Sequence, residues 1–140
     1  MSDFNNQVIA DFNANGGKPG GYFAGAPVLL LHAIGAKSGA ERTQPLMFLP
    51  EGDGTWYVFA SYGGGPKDPA WFHNVVAHPE LDISVGDGTT IARIPVRAHV
   101  LEGTERDTIY AKQAGLFPQF ATYAETTTRD IIPVIKLTRR

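Results

Sequence analysis

Pro27-Val28-Leu29-Leu30-Leu31-His32-Ala33-Ile34-Gly35-Ala36-Lys37-Ser38-Gly39-Ala40-Glu41-Arg42-Thr43-Gln44-Pro45-Leu46-Met47-Phe48-Leu49 is the stretch whose reading decides the fold. Two apolar runs, Pro27 to Leu31 and Leu46 to Leu49, read as paired strands, and His32 to Pro45 reads as their connection. That connection gathers two glycines, a lysine, a serine and an arginine. Glycine lets a backbone turn its N–H groups toward a ligand, Ser38 adds a hydroxyl donor, and Lys37 and Arg42 add positive charge. The set suits an anion such as a phosphodiester or a carboxylate-rich tail. A hydrophilic hairpin tip with two solvated cations is the plainer alternative.

Downstream, Glu51-Gly52-Asp53-Gly54 predicts a tight turn into a third strand, Trp56 to Ser61, and three strands joined this closely make an antiparallel meander. Tyr62-Gly63-Gly64-Gly65-Pro66-Lys67 is flexible enough to lie across a ligand. Asp68 can cap a helix with Pro69 at its first position, running through Ala77 to His78-Pro79. Leu81 to Val85 alternates apolar and polar residues as a half-buried strand does, and Gly86-Asp87-Gly88 turns it back. Thr90 to Leu101 alternates again, with Pro95 implying a bulge or an edge position. Thr104 with Asp107 forms a variant capping box for a helix ending at Gly115; residues 117–127 read as partly helical, and Ile132 to Thr138 as a last strand.

Upstream, Phe4, Val8, Ile9 and Phe12 share one face of a helix over about residues 3–14, closed by Asn15-Gly16-Gly17. Its charges are Asp3 and Asp11, which favours packing on the protein over lying on a membrane surface. Residues 16–26 form an irregular, glycine-rich lead-in. The expected class is mainly β (α+β), a small antiparallel barrel with peripheral helices, in one domain over 1–140 that includes the helix and lead-in of 1–26.

The chain of 140 residues is 43% hydrophobic and 19% charged, ordinary values for one globular domain. A net charge of −2 gives no reason to expect nucleic acid as a partner, so an anion would be held by locally grouped cations. Without cysteine there is no disulfide framework and no thiolate site, and any redox chemistry must come from a bound cofactor. No apolar run approaches the roughly 20 residues that span a bilayer, and the expected location is the cytoplasm, with peripheral membrane contact left open. The four histidines, at 32, 73, 78 and 99, form no known metal-ligand spacing, and Ser61 lacks a nucleophile-elbow context, so neither a metal site nor a hydrolase is expected.

The ordered set Leu29-Leu30-Leu31, Gly35-Ala36-Lys37-Ser38-Gly39, Arg42, Pro45-Leu46, Ala60-Ser61, Gly63-Gly64, Pro69-Ala70-Trp71-Phe72-His73-Asn74, Ala77-His78-Pro79-Glu80 and Arg129-Asp130-Ile131-Ile132-Pro133-Val134 resembles the deazaflavin-dependent nitroreductase family over nearly the whole chain. The resemblance implies a split β-barrel like that of FMN-binding oxidoreductases, using reduced coenzyme F-420 to reduce quinones, nitroaromatics or similar acceptors. Lys37, Ser38, Gly39 and Arg42 match the family's loop for the coenzyme tail, and Pro45, Met47, Ala60, Ser61, Trp71 and Asn74 match positions at or near the ring pocket. Ser61 and Tyr123 are the expected catalytic donors. Phe117, Phe120 and Tyr123, at spacing three, match the segment that contacts the acceptor, and two of the three lack a hydroxyl. Tyr62 departs from the lysine many relatives carry there, leaving one cation fewer beside the coenzyme unless Lys67 compensates. An FMN- or haem-linked enzyme on the same barrel, or a non-catalytic carrier of the coenzyme or a hydrophobic ligand, are the competing readings.

Overall fold

Strand alternation turns Leu29, Leu31 and Ala33 of β1 (Val28–Ile34) into a barrel and Val28, Leu30 and His32 out of it, yet all six are buried. Two layers account for this. Inside, the first set meets Val58, Ile83, Val96, Ile135 and Leu137. Outside, Val28 and Leu30 are covered by Phe12 of α1 (Asp3–Ala14), with Ile9 and Phe23 packed alongside. The computed structural model describes residues 3–51 and 54–140, with Tyr22 described by its backbone alone. The turn expected at 51–54 therefore lies partly outside the described residues.

The remaining strands are β2 (Glu41–Pro50), β3 (Thr55–Phe59), β4 (Glu80–Gly86), β5 (Ile91–Val100) and β6 (Val134–Arg139). They form a closed antiparallel barrel in the order β1-β2-β3-β6-β5-β4, sealed by β1 against β4 from Leu30↔Ser84 to His32↔Asp82. The expected small antiparallel barrel is thus the observed one. Helix α2 (Ala70–Ala77) adds Trp71 and Val75 to the inner cluster. A second cluster, with Tyr57, Phe59, Ile132 and Val134 at its base, is roofed by Ile109 and Tyr110 of α3 (Gly103–Leu116) and Phe120 of α4 (Gln119–Thr126). Among the described residues no helix is long and apolar enough to cross a membrane.

Several boundaries differ from expectation for identifiable reasons. The β1–β2 ladder runs from Val28↔Met47 to Ile34↔Glu41, so His32 to Ile34 and Glu41 to Pro45 belong to the strands and the connection shrinks to Gly35–Ala40. Strand β3 stops at Phe59, because the carbonyls of Ala60 and Ser61 are taken by Arg129 instead of a neighbouring strand. Asp68 does not cap α2; its carboxylate holds Arg129 at 2.7 Å. No side chain caps α3, and Asp107 accepts from Arg106 instead. Gly115 does not end that helix, which continues to Leu116 and stops where Phe117, preceding Pro118, turns extended. Pro95 pairs with Asp82 on β4, and just past the β5–β6 ladder, which starts at Val96↔Arg139, its carbonyl accepts the Arg140 N–H at 3.0 Å, so it is not an open edge.

Two features position the site. Strand β2 pairs with β3 only over Phe48 to Pro50, so its earlier residues have a strand partner on the β1 side alone and the barrel wall splits there. Pro45, which has no N–H to donate, is suited to that open edge. Separately, the lead-in is stitched to the β4–β5 turn by backbone contact. The Gly88 N–H donates to the Gly16 carbonyl at 2.9 Å, a Cβ on Gly86 would lie 2.0 Å from that same oxygen, and one on Gly17 would lie 2.5 Å from Gly86 Cα.

Candidate active site

A cavity of about 620 Å³ occupies the split, within the range of small-molecule sites. Its walls are Gln44 to Met47 on β2, Phe59 to Gly63 (less Ala60) at the end of β3, Pro69 to Trp71 at the start of α2, Gln119, Phe120 and Tyr123 on α4, and Phe4, Asn5 and Phe23 from the N-terminal segment. Apolar and aromatic side chains dominate, and no carboxylate is among the lining residues. Phe120 packs edge-on against Phe59 at 5.6 Å and against Tyr123 at 5.3 Å, so the α4 wall is a rigid aromatic surface. The Ser61 hydroxyl lines the cavity without a hydrogen bond to any described residue.

The six-residue β1–β2 loop adjoins this cavity through α2. Gly39 N–H donates to Gly35 O at 2.9 Å, and Gly35 N–H to Ala40 O at 2.8 Å, closing a compact turn. Gly39 adopts φ 72, which glycine reaches at little cost. The Ala36 N–H donates to Asn74 Oδ1 at 3.0 Å, while the amides of Lys37 and Ser38 find no acceptor among the described residues. Ser38 Oγ and Arg42 Nε converge over Gly35, where an added Cβ would meet them at 2.5 and 3.6 Å. Lys37 and Arg42 are exposed and have no acidic partner among the described residues, whereas nearby Glu41 is committed to Arg93.

The expected site residues thus divide. Pro45, Met47, Ser61, Trp71, Phe120 and Tyr123 come together on the cavity wall. Lys37, Ser38, Gly39 and Arg42 lie outside it, on the adjoining loop and strand end. Ala60 is fully buried beneath the wall, its carbonyl held by Arg129. Asn74 does not line the cavity; it tethers the loop. Phe117 does not line the cavity; it packs, half-buried, against the second core cluster, on the other side of the Pro118 break between α3 and α4 from Phe120 and Tyr123. Sequence reasoning missed Phe4 and Phe23, whose rings stand 6.1 Å apart, and Gln44, Asn5 and Gln119. It also missed Arg129, whose guanidinium, 8% exposed, bonds Asp68, Thr127 and the carbonyls of Ala60 and Ser61. Nothing in the sequence pairs positions 68 and 129. Among the described residues no group of histidines and carboxylates could hold a metal ion.

Residues 5–139 match the model of the family described as F420H(2)-dependent quinone reductase. The chain belongs to that family. Its members are oxidoreductases that use coenzyme F-420, and the acceptor class the family's description names is quinones. The chain is 36% identical over 140 residues to the F420H(2)-dependent quinone reductase Rv1261c of Mycobacterium tuberculosis, an alignment covering 94% of this chain and 87% of the relative. Among solved structures it resembles an F420-H2 dependent reductase, FDR-A, with 38% identity and a TM-score of 0.69 over 79% of this chain and 93% of the other. The haem storage protein HutZ of Vibrio cholerae shares the fold at 12% identity, with a TM-score of 0.62 over 83% of each chain. That likeness extends to the barrel alone.

The residues present fit a deazaflavin. A mostly apolar cleft with a few neutral donors suits a flat ring bearing carbonyls, and a loop and strand end with a hydroxyl, and with two amides and two cations that have no partner among the described residues, suit an anionic tail.

Proposed function

We propose that this protein transfers hydride from reduced coenzyme F-420 to a quinone-type acceptor, with the coenzyme ring and acceptor in the cavity and the anionic tail at Lys37, Ser38, Gly39 and Arg42. The observation that carries this reading is the juxtaposition of the split-barrel cavity with the cationic loop, joined across α2 by Asn74. When bound, the reduced coenzyme supplies hydride from the carbon that replaces N5 of a flavin, chemistry that cysteine-free protein side chains lack.

The chain's own groups do the rest. Lys37 and Arg42 provide charge-assisted contacts to the tail. Pro45 and Met47, on the open stretch of β2, support one edge of the ring site, and Trp71 closes it from α2. The aromatic wall excludes water and offers flat surfaces to a quinone. Ser61 and Tyr123 place hydroxyl groups at the cavity, where each can donate to an oxygen as negative charge develops on it. Phe120, lacking a hydroxyl, leaves the acceptor end more apolar than a tyrosine would.

Titration of the purified protein with coenzyme F-420 and, separately, with FMN and haem tests the coenzyme assignment, and steady-state reduction of menadione by the reduced coenzyme tests the activity. Tight binding of FMN or haem with none of the deazaflavin would favour the other split-barrel chemistries. Deazaflavin binding without turnover of any quinone would make the protein a carrier.

A further inference from the structure

Tyr62 combines three properties that the reductase reading leaves unused. It lines the cavity, yet the residue is 65% exposed, the most exposed large hydrophobic among the described residues. Its backbone sits at φ 47, the single non-glycine residue with positive φ among those described. A bulky side chain in that region is strained and persists only where its surroundings over-determine it.

Here they do. Buried Arg129, itself fixed by Asp68, holds the carbonyls of Ala60 and Ser61 on the approach to Tyr62. Beyond it, Thr127 Oγ1 donates to Gly65 O at 3.0 Å. Gly64, at φ 79, is pressed under α4, where an added Cβ would lie 3.0 Å from Thr126 Oγ1 and 3.2 Å from Tyr123 Cα. A part-buried ion pair and a glycine turn therefore hold one strained, solvent-facing aromatic residue at the cavity, next to the α4 wall. Packing within the protein does not explain that ring, since it is mostly uncovered; a flat ligand entering the cavity would cover it.

We infer that Tyr62 is a specificity-determining residue for the acceptor: its ring forms an outer wall against which a flat aromatic acceptor stacks, beside the surface made by Phe120 and Tyr123. The inference rests on the proposed reductase function for the identity of the acceptor, but not for the contact itself. Binding is thereby drawn from the ring face and not from the hydroxyl.

The test uses menadione as probe, with binding followed by quenching of tryptophan fluorescence, to which cavity-lining Trp71 contributes. It is run on the full chain without coenzyme and again with oxidised coenzyme F-420, so that no turnover occurs. Tyr62→Ala and Tyr62→Gly should each weaken menadione binding about three- to tenfold, the loss expected for one aromatic contact, while Tyr62→Phe stays within about twofold of the parent. Tyr62→Gly, which suits the backbone at this position, should melt no lower than the parent. In turnover, KM for menadione should rise with kcat little changed, the signature of lost ground-state binding. Unchanged menadione affinity in the Ala and Gly variants would overturn the inference. So would an equal loss in Tyr62→Phe, or a fall in Tm in both truncated variants that accounts for the loss. A parent that binds menadione through Tyr62 but never binds the deazaflavin would sink the reductase reading and leave this contact standing.

Discussion

Asn74 Oδ1 accepts the amide hydrogen of Ala36 at 3.0 Å, so the helix that carries Trp71 into the cavity also fixes the backbone of the cationic loop. Ring site and tail site are thereby held at a set spacing. A neutral hydrogen bond of this kind is worth about 0.5–1.5 kcal/mol. Asn74→Ala should therefore weaken coenzyme F-420 binding roughly two- to tenfold, with Tm within a few degrees of the parent. Unaltered affinity would mean that the loop keeps its shape without the tether.

Lys37 and Arg42 have no acidic partner among the described residues, so their charge is available to a ligand. Charge-assisted contacts contribute about 1.5–3 kcal/mol, and Arg42→Ala should weaken the coenzyme about tenfold or more at low salt. Lys37→Ala should act in the same direction. Both deficits should shrink as salt is added, because screening removes the contact from the parent too. Coenzyme titrations at two ionic strengths decide this; two variants that bind as tightly as the parent at low salt would exclude the loop as the tail site.

Ser61 sits on the cavity wall with its carbonyl anchored by Arg129 and its hydroxyl without a hydrogen-bond partner among the described residues. A donor that acts on charge appearing in the transition state lowers kcat when removed and leaves coenzyme affinity nearly unchanged. Ser61→Ala is expected to show that split with menadione as acceptor. Normal kcat for every quinone tried would reduce Ser61 to a strand-end residue.

His32 is buried outside the barrel, its Nε2 2.7 Å from Ser84 Oγ and its Nδ1 3.1 Å from Thr43 Oγ1. Burial, first, and the neighbouring Arg93 guanidinium hold its pKa below 6.5, with Glu41 and Asp82 opposing. Below that value the unfolded chain takes up a proton that the folded chain resists, so stability is full above pH 6.5 and falls as pH drops toward the folded pKa. Melting curves between about pH 7 and about pH 5 should decline less steeply for His32→Gln than for the parent. Parallel declines would assign the acid sensitivity to other groups.

Gln113 is fully buried on α3, and neither its Nε2 nor its Oε1 has a hydrogen-bond partner among the described residues. An unsatisfied buried amide costs about 1–3 kcal/mol, and Gln113→Leu or Gln113→Met keeps the volume while removing that cost. Either variant should raise Tm by roughly 3–10 °C. A lower Tm would mean that the amide is satisfied in solution, for instance by a buried water.

Much of the fold could be read from residue order because local rules agree there. Alternation in Leu81 to Val85 and the Gly86-Asp87-Gly88 turn each carry their own signal, and β4 and β5 follow them. The closure of β1 on β4, and the split between β2 and β3, have no such signal, since both depend on how far a ladder runs before the barrel curves away. The same distinction holds at the site. Lys37 and Arg42 announce themselves by charge on a short glycine loop. Asn74, whose work is a backbone hydrogen bond 38 positions away, and Phe117, across a proline break from the cavity wall, were placed correctly in the chain but not in space. Asp68 reads as a helix cap and Arg129 as one member of a C-terminal motif, and only the folded chain reveals them as a part-buried clamp on the backbone leading to Tyr62.

The glycine contact between the lead-in and the β4–β5 turn bears on how mutational data for this protein should be interpreted. Gly16, Gly17 and Gly86 meet backbone atoms at distances that admit no Cβ, Gly88 sits at φ 97 where a side chain is strained, and none of the four borders the cavity. In a saturation library scored by cellular activity, all four should tolerate almost nothing. Exposed Lys37, by contrast, should accept many replacements with graded losses. Ranking positions by intolerance alone would therefore nominate a seam between two loops as the active centre, and only a parallel abundance score would separate variants that never accumulate from those that accumulate and fail to bind.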